Sequence, residues 1–307
     1  MNESHKYHLA KECINRGQID RAIDYLKELL GLHPETADFH GLLAMCLLQK
    51  KRIVAAEYEI KEALRIEPSE PFFHWIHAQI HTLKNQPKLA HEACDTALSI
   101  NPEYVDAMLY KSQLHQFQDQ FNQARTWLDE AIRIEADSIA ITIALGQLHL
   151  AQGHLQKAES FARQAIKADP QNEDSNLLLG RVFLRKGELR EALQLARFAI
   201  MQNPESEEAL GLFTDIKVRQ NWFLGLWWQF NAWMSCMSTT KMSLVLISLY
   251  IFFNFLSLIL FDFGKENLST IVKSGWIIFV IYSWVGLPFY QKKLKNELKK
   301  FQFNEDF

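Results

Sequence analysis

Residues 145–170, LGQLHLAQGHLQKAESFARQAIKADP, and residues 179–204, LGRVFLRKGELREALQLARFAIMQNP, lie one over the other without a gap. Both open on Leu-Gly, keep alanines at Ala158 and Ala192 and again at Ala165 and Ala199, and close on Pro170 and Pro204. Self-similarity at a fixed step means one supersecondary unit built many times. The step runs outward from this pair. Pro34, Pro68, Pro102, Pro170 and Pro204 are separated by 34, 34, 68 and 34 residues, with Ala136 in register in the gap. Ala22, Ala56, Ala90, Ala124, Ala158 and Ala192 keep the same step, as do Leu29, Ala63, Ala97, Ala131, Ala165 and Ala199. Three ladders in one register cannot come from composition.

Each unit reads as two helices around a polar turn. Leu43, Ala44 and Leu47 fall at helical spacing, Lys50-Lys51-Arg52 interrupts, and Ala56, Ile60, Ala63 and Leu64 resume it. Short side chains let two helices cross closely, which gives the alanines a physical task. The proline cannot continue the second helix and ends the unit.

On these residues the chain resembles the tetratricopeptide repeat (TPR) family, over residues 3–206 in six units, with Glu207–Gln220 as a capping helix. The resemblance implies an all-α fold: a right-handed superhelix of helix-turn-helix repeats whose concave face is lined chiefly by the first helix of each unit. It departs from the family early in those helices, where Lys6, His40, His74, Met108, Thr142 and Asn176 replace a bulky aromatic. Lys111 stands where an apolar residue is usual, so the fourth unit is expected to be the least regular, with a loosened helix pair.

The resemblance turns the fifth and ninth places of each unit inward. These are Tyr7 and Lys11, Gly41 and Met45, Trp75 and Gln79, Leu109 and Gln113, Ile143 and Gln147, and Leu177 and Arg181, with Phe72 and Phe117 beside them. An amide can pair with both N–H and C=O of an extended peptide, so Gln79, Gln113 and Gln147 read as a clamping ladder. The aromatics supply anchor area for a protein or peptide partner. The face lacks the Lys/Asn/Lys/Arg set with which chaperone-binding TPRs grip a terminal carboxylate. His74, His77 and His81, with Cys94 on the next helix, suggest a metal site, His77 and His81 sharing a helix face. All occupy packing places of the repeat, so packing is the preferred reading, and neither metal nor cofactor is expected.

Charge and composition divide the chain. Residues 1–220 hold 25 Lys/Arg against 31 Asp/Glu, and residues 221–307 hold 8 against 5. An acidic front half argues against nucleic acid, whose phosphates need clustered cations. Cys13, Cys46, Cys94 and Cys236 are scattered and read as core thiols. The N-terminus has no apolar signal region, so residues 1–220 are expected in the cytosol. No P-loop, GxSxG, HExxH or dinucleotide fingerprint occurs, which argues against an enzyme.

All tryptophans except Trp75 and Trp127 lie after residue 220. Trp222, Trp227, Trp228 and Trp233 in the uncharged segment 221–238 suit a helix in a lipid headgroup layer. Residues 244–261, LVLISLYIFFNFLSLILF, and 274–290, SGWIIFVIYSWVGLPFY, carry no charge and are long enough to span a bilayer. Spans at about 243–261 and 274–290 form a hairpin. The tail lysines, including Lys292 and Lys293, place both ends in the cytosol by the positive-inside rule. The layout is similar to bacterial membrane-bound TPR proteins, which implies the inner membrane. The expected protein is a membrane-anchored scaffold that holds polypeptide partners in its groove. The second reading is a homo-oligomeric membrane hairpin, a pore or lipid-handling element governed by the repeats, with Asn254 as its polar contact.

Overall fold

The computed structural model describes residues 3–204, 206–220, 239–272 and 274. Among them are fourteen helices with defined ends and no strand. The first helices of successive repeats are α1 (Glu3–Asn15), α3 (Ala37–Gln49), α5 (Pro71–Leu83), α7 (Val105–Phe117), α9 (Ile139–Ala151) and α11 (Glu173–Lys186). The second helices are α2 (Ile19–Leu32), α4 (Ile53–Ile66), α6 (Pro87–Ile100), α8 (Phe121–Ile134), α10 (Leu155–Ala168) and α12 (Leu189–Gln202). Then follow α13 (Glu207–Gln220) and α14 (Thr239–Asp262). Every repeat helix begins 34 residues after its counterpart. The chain forms two compact units, Met1–Lys186 and Gly187–Phe307.

In the first unit each helix packs on the next, and first helices of neighbouring repeats also touch from α3 to α11, whereas second helices make no comparable contact. The first helices therefore form the tighter, inner layer. The alanine ladders explain the packing, for Ala56, Ala90, Ala124 and Ala158 are fully or almost fully buried, as are Ala63, Ala97, Ala131 and Ala165. A larger side chain at any of them would push two helices apart.

The turn inside each repeat has a recurring backbone form. Gly17, Lys51, Asn85, Asp119, Gly153 and Gly187 all have positive φ, between 55° and 85°. The flanking bonds are those of a Schellman cap: Arg52 N–H donates to Leu47 C=O at 2.9 Å and Lys51 N–H to Leu48 C=O at 2.9 Å. Glycine adopts this conformation freely and Asn or Asp tolerates it, but lysine is strained there. Lys51→Gly is therefore expected to stabilise the array by about 0.5–1 kcal/mol, read as a raised thermal midpoint. An unchanged or lowered midpoint would contradict the strain argument.

The departures from the family pattern have structural partners. Imidazole Nε2 of His40 donates to the Pro34 carbonyl at 2.8 Å, and that of His74 to the Pro68 carbonyl at 2.8 Å. Asn176 Nδ2 donates to the Pro170 carbonyl at 3.1 Å. Polar residues early in the first helix thus satisfy the proline turn that precedes them. The fourth repeat is not loosened: α7 packs on α8 much as the helices of the neighbouring repeats pack on each other. Lys111 is buried because its ammonium pairs with Asp95 on α6 and lies 4.4 Å from the centre of the Trp127 ring on α8.

Exposed ion pairs link consecutive repeats. Lys50 reaches Asp20 at 2.7 Å, Lys84 reaches Glu57 at 2.9 Å and Lys186 reaches Glu159 at 2.6 Å, each lysine lying at the end of a first helix. Hydrogen bonds from Lys84 and then Lys61 hold the Glu57 carboxyl down at about 2. Between the third and fourth repeats the corresponding contact is neutral, Gln118 Nε2 meeting His91 Nε2 at 3.1 Å.

In the second unit α12 packs on α13. The 24 residues of α14 rise about 36 Å. Past its end Gly264 has φ 71°, Lys265 N–H returns to Leu260 C=O at 2.9 Å, and residues 266–272 turn helical again. The two segments meet through hydroxyls, Ser257 Oγ lying 2.8 Å from Ser269 Oγ, both residues buried. Tyr250, Ile251, Phe252, Phe255, Leu258 and Phe261 are exposed on α14. Among the described residues no helix is long and apolar enough to cross a membrane. The expected first span, about 243–261, is thus not established by the helix that contains it. The second, 274–290, lies outside the described residues except for Ser274.

Candidate functional site

The expected groove residues separate into three groups once the first helices are assembled. Tyr7 on α1 packs on Phe39 of α3, ring centroids 5.3 Å apart, with the Lys11 ammonium 4.4 Å from the Tyr7 ring centre. Met45, Phe72 and Trp75 are half-buried against the core of the first three repeats, and the Phe72 and Trp75 rings lie 5.8 Å apart. Together they place aromatic side chains on α1, α3 and α5. Gly41 is part of its construction, since a Cβ there would stand 2.3 Å from Phe73 Cε1 and 3.3 Å from Phe72 Cε1.

From the third repeat onward the face also carries amides. Gln79, Gln113 and Gln147 are half-buried or exposed, and their amides make no hydrogen bond among the described residues. Leu109 is half-buried against the cluster around α7, α8 and α9, and Phe117 is exposed. Arg181 is half-buried and has partners within the chain.

Ile143, expected on the ligand face, is instead buried, as are Gly41 and Leu177 in the same place of their repeats. Around Ile143 the covering is complete, α9 touching α7 and α11 and packing on α8 and α10, whereas Trp75 and Leu109 in the same place stay half-buried. Trp222, Trp227, Trp228, Trp233, Lys292 and Lys293, expected at a membrane interface, lie outside the described residues. Sequence reasoning missed Phe39, whose signal was its place two residues before Gly41, where its ring packs at a tilt on the preceding repeat's tyrosine.

The histidines sit at the back of these helices. The His77 and His81 rings lie 4.2 Å apart, and His81 Nδ1 bonds Gln86 Oε1 at 2.9 Å. His115 Nδ1 repeats that bond with Gln120 Oε1 at 2.7 Å. Among the described residues no three potential ligands converge as a metal site would require. Burial pushes the Cys46 and Cys94 thiols up to about 12, so neither is a ready nucleophile or ligand.

Burial, with smaller help from the His81 and His74 charges, pushes His77 down to about 4 from 6.5, and its buried Nε2 has no partner. The unfolded chain then binds a proton that the folded chain refuses. Stability from this site is full above pH 6.5 and is lost as pH falls toward 4. Unfolding free energy should fall by about 2 kcal/mol between pH 7 and pH 4.5. His77→Leu should flatten that slope in chemical denaturation; an unaltered slope would place the effect elsewhere.

The comparisons agree with this architecture. Tetratricopeptide repeat profiles match residues 7–71, 82–148 and 149–220, together more than half of the chain. The chain belongs to the tetratricopeptide repeat family. No curated protein matches it in sequence. Among solved structures it is similar to TTC0263, a thermophilic TPR protein in Thermus thermophilus, with 19% identity and a TM-score of 0.56, covering 60% of this chain and 100% of that one. It is also similar to the APC/C hetero-tetramer Cut9-Hcn1, with 12% identity and a TM-score of 0.53, over 70% of this chain and 46% of that one. At these identities the likeness is one of fold. TPR proteins generally mediate protein–protein interactions, and the fold is typically a non-enzymatic scaffold.

Proposed function

We propose that this protein is a membrane-anchored scaffold that holds an extended polypeptide along its first-helix face. The observation that carries the reading is the sequence of surfaces on that face. Aromatic anchors lie in the first repeat (Tyr7) and the third (Phe72 and Trp75), and the amides of Gln79, Gln113 and Gln147 start on that same third-repeat helix and continue at one repeat's spacing. Apolar anchors supply affinity, and amides spaced along a peptide backbone supply register. Trp75 is half-buried in the core, so its truncation would mix folding loss with binding loss. The amides are the cleaner probes.

The test is a photo-crosslinking residue at Gln113 in cells, compared with one at Gln164 on the second-helix side. Position 113 should give discrete protein adducts and position 164 none, and Gln79→Ala with Gln147→Ala should reduce the adduct at least fivefold at unchanged stability. Equal labelling at both positions would reject the groove.

Anchoring is supported by the inverted polarity of α14 and the segment after it. Hydroxyls of Ser257 and Ser269 face one another inside, and large apolar side chains face out. In water that arrangement is unfavourable; in lipid, small polar contacts between helices are ordinary. We take the aromatic segment 221–238 and the tail lysines as interfacial contacts, with both termini on the cytosolic side. Sedimentation of the full chain with membranes after alkaline washing supports the anchor, and recovery in the supernatant rejects it.

A further inference from the structure

A second candidate site lies on the other side of the array. The twenty-third place of each repeat is filled by Tyr25, Glu59, Ala93, Trp127, Phe161 and Leu195. Only the second repeat puts a charge where most of its siblings have a bulky packing group. Four places earlier the series runs Arg21, Ala55, Leu89, Gln123, Lys157 and Glu191, and here the second repeat carries the smallest residue. The missing bulk leaves a cavity of about 400 Å³ lined by α2, α3 and α4. That size falls within the range of small-molecule sites.

The lining is mostly apolar, Leu30, Leu43 and Leu47 forming much of it. Its polar groups are His40, Glu59, Lys27 and Arg52. His40 Nε2 faces the Pro34 carbonyl at 2.8 Å, which can only accept, so this nitrogen carries a proton. The other nitrogen, Nδ1, lies 2.6 Å from Glu59 Oε2, and a proton must lie between them. Whether imidazole or carboxyl holds it, the pair has no net charge. What remains is positive: Lys27 and Arg52 are exposed, and neither forms an ion pair among the described residues. In the acidic front half of the chain, two unpaired cations beside an apolar hollow are a specific combination.

We propose that this pocket binds a small amphipathic carboxylate, its acyl chain against Leu30, Leu43 and Leu47 and its anionic head toward Lys27 and Arg52. The small volume and the neutral His40–Glu59 pair favour one short chain with a single terminal charge. The site is built from second helices and the back of α3, whereas the proposed groove uses Tyr7, Met45 and Trp75 on first helices. Its occupancy is therefore separable from partner capture.

The test is hydrogen–deuterium exchange on the full-length chain in lipid nanodiscs, titrated with hexanoate, hexylammonium or hexanol. Hexanoate should slow exchange in α2, α3 and α4 saturably, at millimolar concentrations or below, and the other two should not. Ala55→Leu copies the residue that the third repeat carries in this place and should abolish the protection. Arg52→Gln and Lys27→Gln change only exposed cations, so they should fold normally and each weaken apparent affinity by about tenfold. The proposal is overturned by absent or non-saturable protection, by equal protection with hexylammonium or hexanol, or by undiminished protection in the cation variants.

Discussion

Gly41→Ala is expected to lower the stability of the repeat array by about 2 kcal/mol, although the same substitution in an open helix is favourable. The new Cβ would meet Phe73 Cε1 at 2.3 Å and Cδ1 at 2.7 Å. Phe73 is fully buried, so its ring cannot swing into solvent as a flexible side chain would. Relief requires α3 and α5 to separate, which disturbs the aromatic face as well as the core. Gly31 supplies the control, for a Cβ there meets nothing within 4 Å. Gly31→Ala should stabilise by up to about 1 kcal/mol through helix propensity alone. Chemical denaturation of both variants decides the matter; equal effects would remove the contact with Phe73 as the cause.

The second large effect concerns Lys111. Asp95→Ala should cost about 2 kcal/mol, because it strands a buried ammonium whose remaining support is the Trp127 ring 4.4 Å away. Lys111→Met keeps the volume and removes the charge. It should be neutral or stabilising, since it removes a buried ammonium and leaves behind only Asp95, whose side chain is 59% exposed and stays solvated. The two variants therefore split in sign although each breaks the same bond. If both destabilise equally, the pair contributes net attraction beyond its desolvation.

The period was legible because the residues that carry it cannot vary without moving helices. Ala56, Ala63, Ala90 and Ala97 are all fully buried, and each was readable from its spacing alone. Lys111 misled because its partners come from both directions, Asp95 sixteen residues before it and Trp127 sixteen after. Read without them, a charge in an apolar place looks like a fault in packing. Ile143 and Leu177 misled for a related reason: their burial depends on how closely neighbouring first helices approach, which no single repeat encodes. The turn conformation left a readable trace in Gly17, Gly153 and Gly187, one step or several apart. Lys51, Asn85 and Asp119 in the intervening repeats hide it. The second-helix pocket was legible in part, since Ala55 and Glu59 are the odd members of their series, but the space they leave needed three helices in place.

Among the described residues the core of the first unit is not one continuous body. One cluster runs from Ala10 to Ile80, a small one gathers Ala78, Ala90, Cys94 and Leu114, and another begins at Met108. A nascent chain can thus settle its first three repeats while later ones are still being made, because little of their apolar interior waits on distant residues. The aromatic residues Tyr7, Phe72 and Trp75 would be in place before the most hydrophobic stretch of the polypeptide leaves the ribosome. The proposed partner face would thus exist before the proposed anchor has been made.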